Sequence, residues 1–372
     1  MDSVRIFHMA DAHLDAPFTT LSPREAELAR RSLRSAFAAA LLAAKNRGVK
    51  LFLIAGDLFD STYVTPDTKD FVCRRLKEYG DIRFFISPGN HDPYDENSPY
   101  RTMPFSDNVH IFDGKSVVRL EELGVAVYGS PFTSSEMRES PLKGLPPINP
   151  ELINILVCHG DVAAGDSPYG PISLKELGDS GFDYVALGHI HRSTGVLCHG
   201  GVHFAYPGCI EGRGFDETGD KGALVGSVSK GRAELGFLSL ARRKYAVETV
   251  DVSGMESRTG AIEAIRSVMR PYGSDTHLRL VLTGTPAVLL GITEELFATG
   301  GSDPASIEIL DKTLPMPRLT EAEKKNTLRG VFLRRMQDRL SGLDGDSEEY
   351  ALLVRALKIG LAALDGRDIT GV

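Results

Sequence analysis

Cysteine is scarce in this sequence, and its few copies are not arranged as metal or redox motifs. The 372 residues include four cysteines, and no two of them form a Cys-x-x-Cys pair. Cys158 and Cys209 lie in or beside apolar, strand-like runs, which is typical of buried free thiols in a reducing compartment. We therefore expect free thiols and a cytoplasmic protein.

Long apolar runs are missing as well. The longest, residues 36–44, is too short to span a bilayer and fits one face of a helix. The first residues, MDSVRIFHMADAH, contain neither a basic region nor an apolar leader region and continue directly into a strand-like segment. We therefore expect no signal peptide and no membrane attachment.

Positive charge is not in excess, since the formal net charge is −8. This balance argues against a protein that coats nucleic acid through a basic surface. It does not exclude an enzyme that acts on nucleic acid, because bound divalent cations add local charge that the count omits. The composition, 42% hydrophobic and 25% charged, is otherwise that of a globular protein, and the length suffices for two or three domains.

The sequence does contain five short apolar segments that are each followed directly by polar residues. An apolar, β-branched run with such an ending predicts a buried strand whose carboxyl end presents the polar side chains. Helices are predicted after the first two, at 23–47 with Ser22 as N-cap and Pro23 at N1, and from Thr68 to Tyr79. The five segments are 4–10 before Asp11-Ala12-His13, 51–55 before Gly56-Asp57, 82–88 before Gly89-Asn90-His91-Asp92, 153–158 before His159-Gly160-Asp161, and 182–187 before Gly188-His189-Ile190-His191.

The last ending places His189 and His191 two residues apart, and the first ending does the same with an aspartate and a histidine. Side chains alternate in direction along a strand, so residues i and i+2 face one side and can reach the same ion or two neighbouring ions. Asn90 and His91 are adjacent and diverge, so we expect one metal ligand and one acid or transition-state stabiliser. A single ending of this kind is a weak indication, because a polar turn after a strand gives the same pattern.

Together the endings supply seven candidate metal ligands without a thiolate: Asp11, His13, Asp57, Asn90, His159, His189 and His191. Seven donors exceed what one tetrahedral site needs, but they suit two ions that share a carboxylate, for which Asp57 is the candidate. Two ions about 4 Å apart can activate a water and clamp both sides of an in-line phosphoryl displacement. Mixed nitrogen and oxygen donors favour manganese, with iron or zinc as alternatives. Asp60 is predicted to support the site or to form a turn.

The order of these motifs, DxH, GD, GNHD, H and GHxH between Asp11 and His191, resembles the calcineurin-like metallophosphoesterase superfamily. The resemblance implies an α/β fold, a four-layered α/β/β/α sandwich. It implies catalytic roles for His91, as the unliganded histidine that assists the leaving oxygen, and for Asp57, as the shared ligand. It also implies two ligand sets, one of Asp11, His13, Asp57 and His191 and the other of Asp57, Asn90, His159 and His189.

A finer resemblance lies in the segment YPGCIEGRGFDE, residues 206–217, followed by GDKGALV. It is similar to a segment of the bacterial SbcD-type DNA repair exonucleases, including the YhaO-like subgroup, as is the stretch at 104–112. Cys209 departs from the serine that is common in SbcD proteins. Arg213 lies in this glycine-rich stretch and is the candidate substrate contact, since its guanidinium could meet a phosphate.

The sequence predicts three parts: a metallophosphoesterase domain at 1–240, a capping domain at 245–315 and a C-terminal helical segment at 319–372. The second part contains a predicted helix at about 258–270 and a strand in which Leu278, Leu280 and Leu282 alternate with Arg279. The resemblance implies that it holds DNA over the metals; an unrelated accessory domain is the alternative. The third part carries apolar residues at helical spacing. In the family such helices dock an SbcC-type coiled-coil ABC ATPase, but packing on the chain's own surface or a homodimer gives the same pattern.

We therefore predict a cytoplasmic, manganese-dependent phosphodiesterase that acts on DNA, as an SbcD-type exonuclease or endonuclease in DNA repair. One alternative keeps the site and changes the substrate, giving a phosphomonoesterase or a cyclic-nucleotide phosphodiesterase. A second alternative is a non-catalytic scaffold that organises an ATPase. The complete ligand set argues against this scaffold.

Overall fold

The chain divides into two compact units, Met1–Lys244 and Tyr245–Val372, which are described separately. The computed structural model describes residues 3–163, 165–297, 304–316, 327–345 and 347–366. Residues 319–326, 346 and 367–372 of the predicted helical segment lie outside these ranges. The functions expected of the capping and helical segments stay predictions.

The first unit is built from two six-stranded sheets. The first sheet has the order β14-β13-β1-β2-β3-β4 and the second β11-β12-β10-β7-β6-β5, while β8 pairs with β9. The strands are β1 (Val4–Met9), β2 (Leu51–Ile54), β3 (Arg83–Ile86), β4 (Val109–Ile111), β5 (Ser116–Leu120), β6 (Val125–Ser130), β7 (Ile153–His159), β8 (Asp161–Val162), β9 (Pro171–Ile172), β10 (Tyr184–Gly188), β11 (Leu197–His199), β12 (Val202–Ala205), β13 (Gly222–Ser229) and β14 (Arg232–Ser239). The helices are α1 (Pro23–Asn46), α2 (Pro66–Lys77) and α3 (Leu174–Asp179).

Three layers of apolar side chains hold these sheets and helices together. Along β1, Phe7 packs with residues of α1 and α2, whereas its neighbour Ile6 enters the core shared by the two sheets. On the second sheet, Leu156 and Val185 point away from that shared core and pack with Leu177 of α3. Because both faces of both sheets are covered at their centres, the central strands β2, β7 and β10 are buried along their whole length. The predicted four-layered α/β/β/α sandwich is confirmed.

The first two helices begin where side chains can cap their free N–H groups. Ser22 and Glu25 form a reciprocal capping box at the start of α1, so the predicted N-cap is confirmed. For α2 the predicted start at Thr68 is wrong by two residues. Its N-cap is Thr65, whose hydroxyl accepts from the Thr68 N–H, and Pro66 occupies the first turn. Proline is tolerated there because its missing N–H has no partner in that turn.

The carboxyl ends of the central strands of the two sheets meet. Strands β1, β2 and β3 are parallel to one another, and β7 is parallel to β10. His159 at the end of β7 donates from Nδ1 to the carbonyl of Ala55, the residue after β2, over 3.0 Å. The endings of five strands therefore gather around one place, where the two sheets come together.

The second unit carries a three-stranded sheet of order β15-β16-β17 and three helices among its described residues. Leu278, Leu280 and Leu282 of β16 are buried in alternation, as predicted, and pack with Ile265 of α4. The elements are β15 (Lys244–Asp251), α4 (Arg258–Met269), β16 (Thr276–Thr283), β17 (Ser306–Asp311), α5 (Leu328–Leu340) and α6 (Glu348–Leu364).

The last two helices pack against each other through their apolar faces. Leu357 and Leu361 of α6 are buried with Met336 of α5, as the helical spacing predicts, and Leu333 joins them. Leu328, the first residue of α5, is 75% exposed. None of the helices in the described ranges combines the length and apolar character needed to cross a membrane.

Candidate metal centre

The predicted ligands lie just beyond the strands, in backbone conformations that strand geometry does not supply. Asp11, His13 and Asp57 have φ of 51°, 44° and 50°, and His189 has φ of 103°. Positive φ is uncommon in residues with a side chain and concentrates at functional sites. Residues i and i+2 are thus brought to the site by left-handed turns, and the predicted reason, alternation along a strand, is wrong. His191 faces His13, whereas His189 faces His159.

The first donor set forms around two imidazoles, those of His13 and His191, which are far apart in the sequence. The Nε2 atoms of His13 and His191 lie 3.3 Å apart. An oxygen of Asp11 lies 3.7 Å from His191 Nε2, and Asp57 Oδ2 lies 3.8 Å from His13 Nε2. These are the four side chains that the resemblance assigns to one ion.

Carboxylates on the far side of both rings decide which nitrogen faces the centre. Glu217 Oε1 lies 2.6 Å from His191 Nδ1 and can only accept, so Nδ1 carries the proton. Asp60 Oδ1 lies 3.2 Å from His13 Nδ1, a close contact without the alignment of a hydrogen bond. The His191 ring therefore keeps the lone pair of Nε2 for the centre. A carboxylate that fixes the tautomer and orientation of a histidine in this way is the usual support of a metal ligand.

The second donor set forms around His159, which is fully buried. Its Nδ1–H donates to the Ala55 carbonyl, so its Nε2 faces Asn90 Oδ1 at 2.9 Å and Asp57 Oδ2 at 3.4 Å. The His189 ring lies beside the His159 ring with 5.2 Å between centroids, and its Nε2 is 3.9 Å from Asp161. His189 is thus adjacent to this set without converging on it as closely as the other three donors.

The residues present fit a pair of divalent cations. Asp11, His13 and His191 offer ligand atoms that lie within 4.8 Å of one another, and so do Asp11, Asp57 and His159. The Nε2 atoms of His13 and His191, 3.3 Å apart, are close enough to bind one cation together. The assignment of individual residues to individual ions stays a prediction.

The electrostatics of the centre follow from buried opposite charges. Burial raises the pKa of the Asp57 carboxyl, but the neighbouring His159 imidazole outweighs burial, and the pKa is lowered. Burial lowers the pKa of His159, but the Asp57 carboxylate outweighs it and raises the pKa to about 9. Asp57 and His159 thus favour a buried ion pair between a carboxylate and a protonated imidazole.

His91 is placed for proton transfer. Its ring is exposed, and Nδ1 donates to the Asp60 carbonyl over 2.9 Å, so Nε2 remains for exchange with a substrate. Its backbone N–H donates to Asp57 Oδ1 over 3.0 Å, which ties the ring to the centre. His91 also forms a cluster with His13 and Asp60 that could hold a cation. Its predicted role as the unliganded histidine stays a prediction.

Arg213 lies at the edge of the centre among carboxylates. Nη1 donates to Asp60 Oδ1 over 2.9 Å, and Nη2 donates to Glu217 Oε1 over 2.9 Å. The sequence predicted Asp60 as a supporting residue, and its position behind His13 agrees with that prediction. The predicted contact between Arg213 and a substrate phosphate stays a prediction.

Glycines allow the strand endings to approach one another. A Cβ on Gly56, which has φ of +87°, would overlap the His159 ring, and a Cβ on Gly188 would overlap the Ala55 carbonyl. The absence of a side chain at Gly56 thus leaves room for the side chain of His159.

Sequence reasoning missed several residues that support the centre. Glu217 holds His191, and Asp92 joins two ligand loops by accepting from the N–H groups of Phe59 and Gly89 and from the hydroxyl of Tyr100. Asp92 is the last residue of the GNHD motif, and Glu217 is the last residue of the segment at 206–217. Both acids therefore lie within the motifs on which the family resemblance rests. The signal available was an acid directly after the GNH triplet and an acid four residues after Arg213.

The fold and the metal centre are typical of metal-dependent phosphoesterases, and the comparison with known families agrees with this class. The model of the calcineurin-like phosphoesterase family matches residues 4–193. The chain belongs to this family and is a metal-dependent phosphoesterase, whose fold carries a dinuclear metal centre. It is 30% identical over 301 residues to "Uncharacterized metallophosphoesterase YhaO" of Bacillus subtilis (strain 168), with 77% of this chain and 73% of that protein covered.

Proposed function

We propose that this protein is a manganese-dependent DNA phosphodiesterase of the SbcD type, an exonuclease or endonuclease that acts in DNA repair. The observation that carries the proposal is the position of Asp57. Its Oδ2 atom lies 3.8 Å from His13 Nε2 and 3.4 Å from His159 Nε2, so one carboxylate faces both donor sets. A shared carboxylate is what two neighbouring ions require of a phosphoesterase site.

The two ions are assigned to this chain's residues as the resemblance implies: Asp11, His13, Asp57 and His191 for one, and Asp57, Asn90, His159 and His189 for the other. When bound, such ions supply Lewis-acid activation of water and of the phosphate oxygens. Manganese is preferred because the donors mix imidazole with oxygen and include no thiolate, and iron or zinc remain alternatives.

His91 is assigned the proton transfer. As a water oxygen bonds to phosphorus and the bond from phosphorus to the sugar oxygen breaks, the departing oxygen needs a proton. His91 Nε2 can hold that proton, since Nδ1–H is committed to the Asp60 carbonyl. The ring is exposed, so it can reach the ester of a polymer as well as that of a small molecule.

DNA is favoured as the substrate by two features. The segment at 206–217 resembles the SbcD-type exonucleases, and a groove of about 680 Å³ adjoins His189 and His191. Arg192 and the partly exposed ring of Phe237 also line this groove. An arginine and an aromatic ring offer a charge for a phosphate and a face for a base, the pair of contacts that single strands use.

An ABC-type coiled-coil ATPase of the SbcC type is the proposed partner, and a homodimer is the alternative. Exposed Leu328 and Leu352, 75% and 67% accessible, lie on the outer side of the two C-terminal helices. All four cysteines are free, which is compatible with a cytoplasmic location.

The decisive experiment measures hydrolysis of linear single- and double-stranded DNA and of small phosphate esters, each with manganese, iron or zinc. We expect manganese-dependent DNA hydrolysis that a chelator abolishes. Faster turnover of a phosphomonoester or of a cyclic nucleotide than of DNA would replace the proposal by a small-ester phosphatase or phosphodiesterase. A protein that binds fewer than about one ion per chain and hydrolyses nothing would be a scaffold.

A further inference from the structure

We propose that Arg213 is a positioning residue that sets the affinity of one metal site through two carboxylates. The inference rests on the proposed metal centre, because it concerns how His13 and His191 are held toward an ion. It gives Arg213 a role different from the phosphate contact expected from the sequence.

The guanidinium of Arg213 joins the two carboxylates that stand behind the two histidines. Nη1 donates to Asp60 Oδ1, which lies 3.2 Å from His13 Nδ1. Nη2 and Nε donate over 2.9 and 3.2 Å to Glu217 Oε1, which accepts the proton of His191 Nδ1. The backbone N–H of Arg213 donates over 2.8 Å to Glu217 Oε2. A single side chain thus fixes the position of both supports.

This arrangement needs the planar fork of an arginine. Asp60 and Glu217 belong to different segments, 157 residues apart in number, and the two Nη atoms reach one carboxylate each. A lysine carries one compact ammonium and cannot hold two separated carboxylates in fixed directions. The side chains of Arg213 and Glu217 are only 24% and 6% exposed, so water screens their attraction weakly.

The charges explain why an arginine belongs there. A histidine that binds a metal is neutral, so its supporting carboxylate has no other permanent counter-charge. The guanidinium of Arg213 is the cation that contacts Glu217, with Nη2 2.9 Å from Oε1. A charge-assisted hydrogen bond of this kind holds the carboxylate, and through it the ring, more firmly than a neutral one does.

Three N–H groups of the guanidinium are already occupied, which argues against a primary role in binding substrate. Asp60 takes one and Glu217 takes two. A phosphate could gain these donors only by displacing carboxylates that orient the metal ligands. The network serves one donor set, since the proton of His159 Nδ1 is held by the Ala55 carbonyl instead.

The test is a calorimetric titration of chelator-treated protein with manganese chloride. Wild type should bind two ions per chain. Arg213→Ala should bind one with wild-type affinity and the other about 10–100 times more weakly, the usual cost of removing an outer support. Glu217→Gln should weaken the same ion, and the double variant should lose less than the sum, because both act through one contact.

The matched control is Arg31→Ala. Arg31 also pairs with a glutamate four positions away, Glu27 at 2.9 Å, but on the exposed surface of α1. Both manganese affinities should remain those of wild type. Arg213→Lys keeps the charge and loses the fork, so it should weaken the same ion by less than alanine does. It also serves as the test variant if the alanine variant does not fold.

Two outcomes would overturn the inference. Two unchanged manganese affinities together with a raised KM for DNA would make Arg213 a substrate contact. Equal weakening of both ions would make its effect a general loosening of the fold. If wild type itself binds no manganese, the proposed metal centre fails first, and this result is distinguishable because it appears without any variant.

Discussion

The Nε2 atoms of His13 and His191 lie 3.3 Å apart although the residues are 178 positions apart in the chain. Both rings present Nε2 to the same point, and a carboxylate lies on the Nδ1 side of each ring. A cation at that point would join the end of β1 to the end of β10. Metal binding and folding of this domain should therefore be coupled, since the unfolded chain has no such site.

Removal of metal should lower the stability of the protein. At a manganese concentration about 100 times the dissociation constant, one site adds about 2.7 kcal/mol to the free energy of unfolding. We expect the melting temperature to rise when manganese is added to chelator-treated wild type. Asp57→Asn should lose most of this rise and more than about 100-fold of the activity, because Asp57 faces both donor sets.

The control for Asp57→Asn is Asp179→Asn, which removes an exposed carboxylate paired with Lys175 on α3. Its melting temperature should respond to manganese as wild type does. A normal metal response in Asp57→Asn would show that Asp57 is not the shared ligand.

Replacement of His91 should separate chemistry from metal binding. His91→Gln should lower kcat on DNA by about 10²–10⁴-fold, the usual contribution of a positioned acid or base. The number of bound manganese ions should remain two, because His91 Nδ1 is directed to the Asp60 carbonyl and the ring is exposed. Loss of an ion in the calorimetric titration would instead make His91 a ligand in the cluster with His13 and Asp60.

Gly56 should be less replaceable than a glycine of similar φ elsewhere. Gly56→Ala combines φ of +87° with overlap between the new Cβ and the His159 ring, whereas the Cβ of Gly48→Ala, at φ of +64°, meets no atom within 4 Å. Gly48→Ala should cost about 1–2 kcal/mol from its conformation alone. Gly56→Ala should cost about 1–3 kcal/mol more because it overpacks the site. Denaturant unfolding measures both, and equal costs would refute the close approach to His159.

His8 should make the protein sensitive to acid. Its ring is fully buried against the Tyr184 hydroxyl and the Leu187 carbonyl, and burial lowers its pKa to about 3. Between pH 3 and 6.5 the unfolded chain binds a proton at this position that the folded chain does not. The free energy of unfolding therefore falls as the pH drops through this range, by up to about 1.4 kcal/mol per pH unit.

The comparison of His8→Gln with wild type isolates this effect. The variant should be less stable at pH 7, because a packed ring is lost, but its stability should decline less steeply toward pH 4. His199→Gln, at an exposed position of β11, should keep the wild-type slope. Denaturant midpoints at several pH values measure all three, and parallel slopes would contradict the assignment.

Much of the fold could be predicted from local patterns. The apolar runs became β1, β2, β3, β7 and β10, and Ser22 caps α1, since strand and helix signals act over a few residues. The start of α2 was missed by two residues because proline and threonine were not recognised as its first turn.

The supports of the site were less accessible to such reasoning. Glu217 and Arg213 are recognisable only as polar residues near glycines, and Asp60 as one residue of a turn. The contact between Asp60 and Arg213 depends on two distant segments that meet in space, and nothing in their local sequence encodes it.

The sequence by itself determined the chemistry of this protein, because the kinds of donors and the strands that carry them are written in short contiguous motifs. Only the tertiary structure decided which nitrogen of each histidine faces the centre and which acid stands behind it. Those choices follow from left-handed turns at Asp11, His13, Asp57 and His189 and from the close approach of two sheets, and both arise from packing between distant segments rather than from neighbours along the chain.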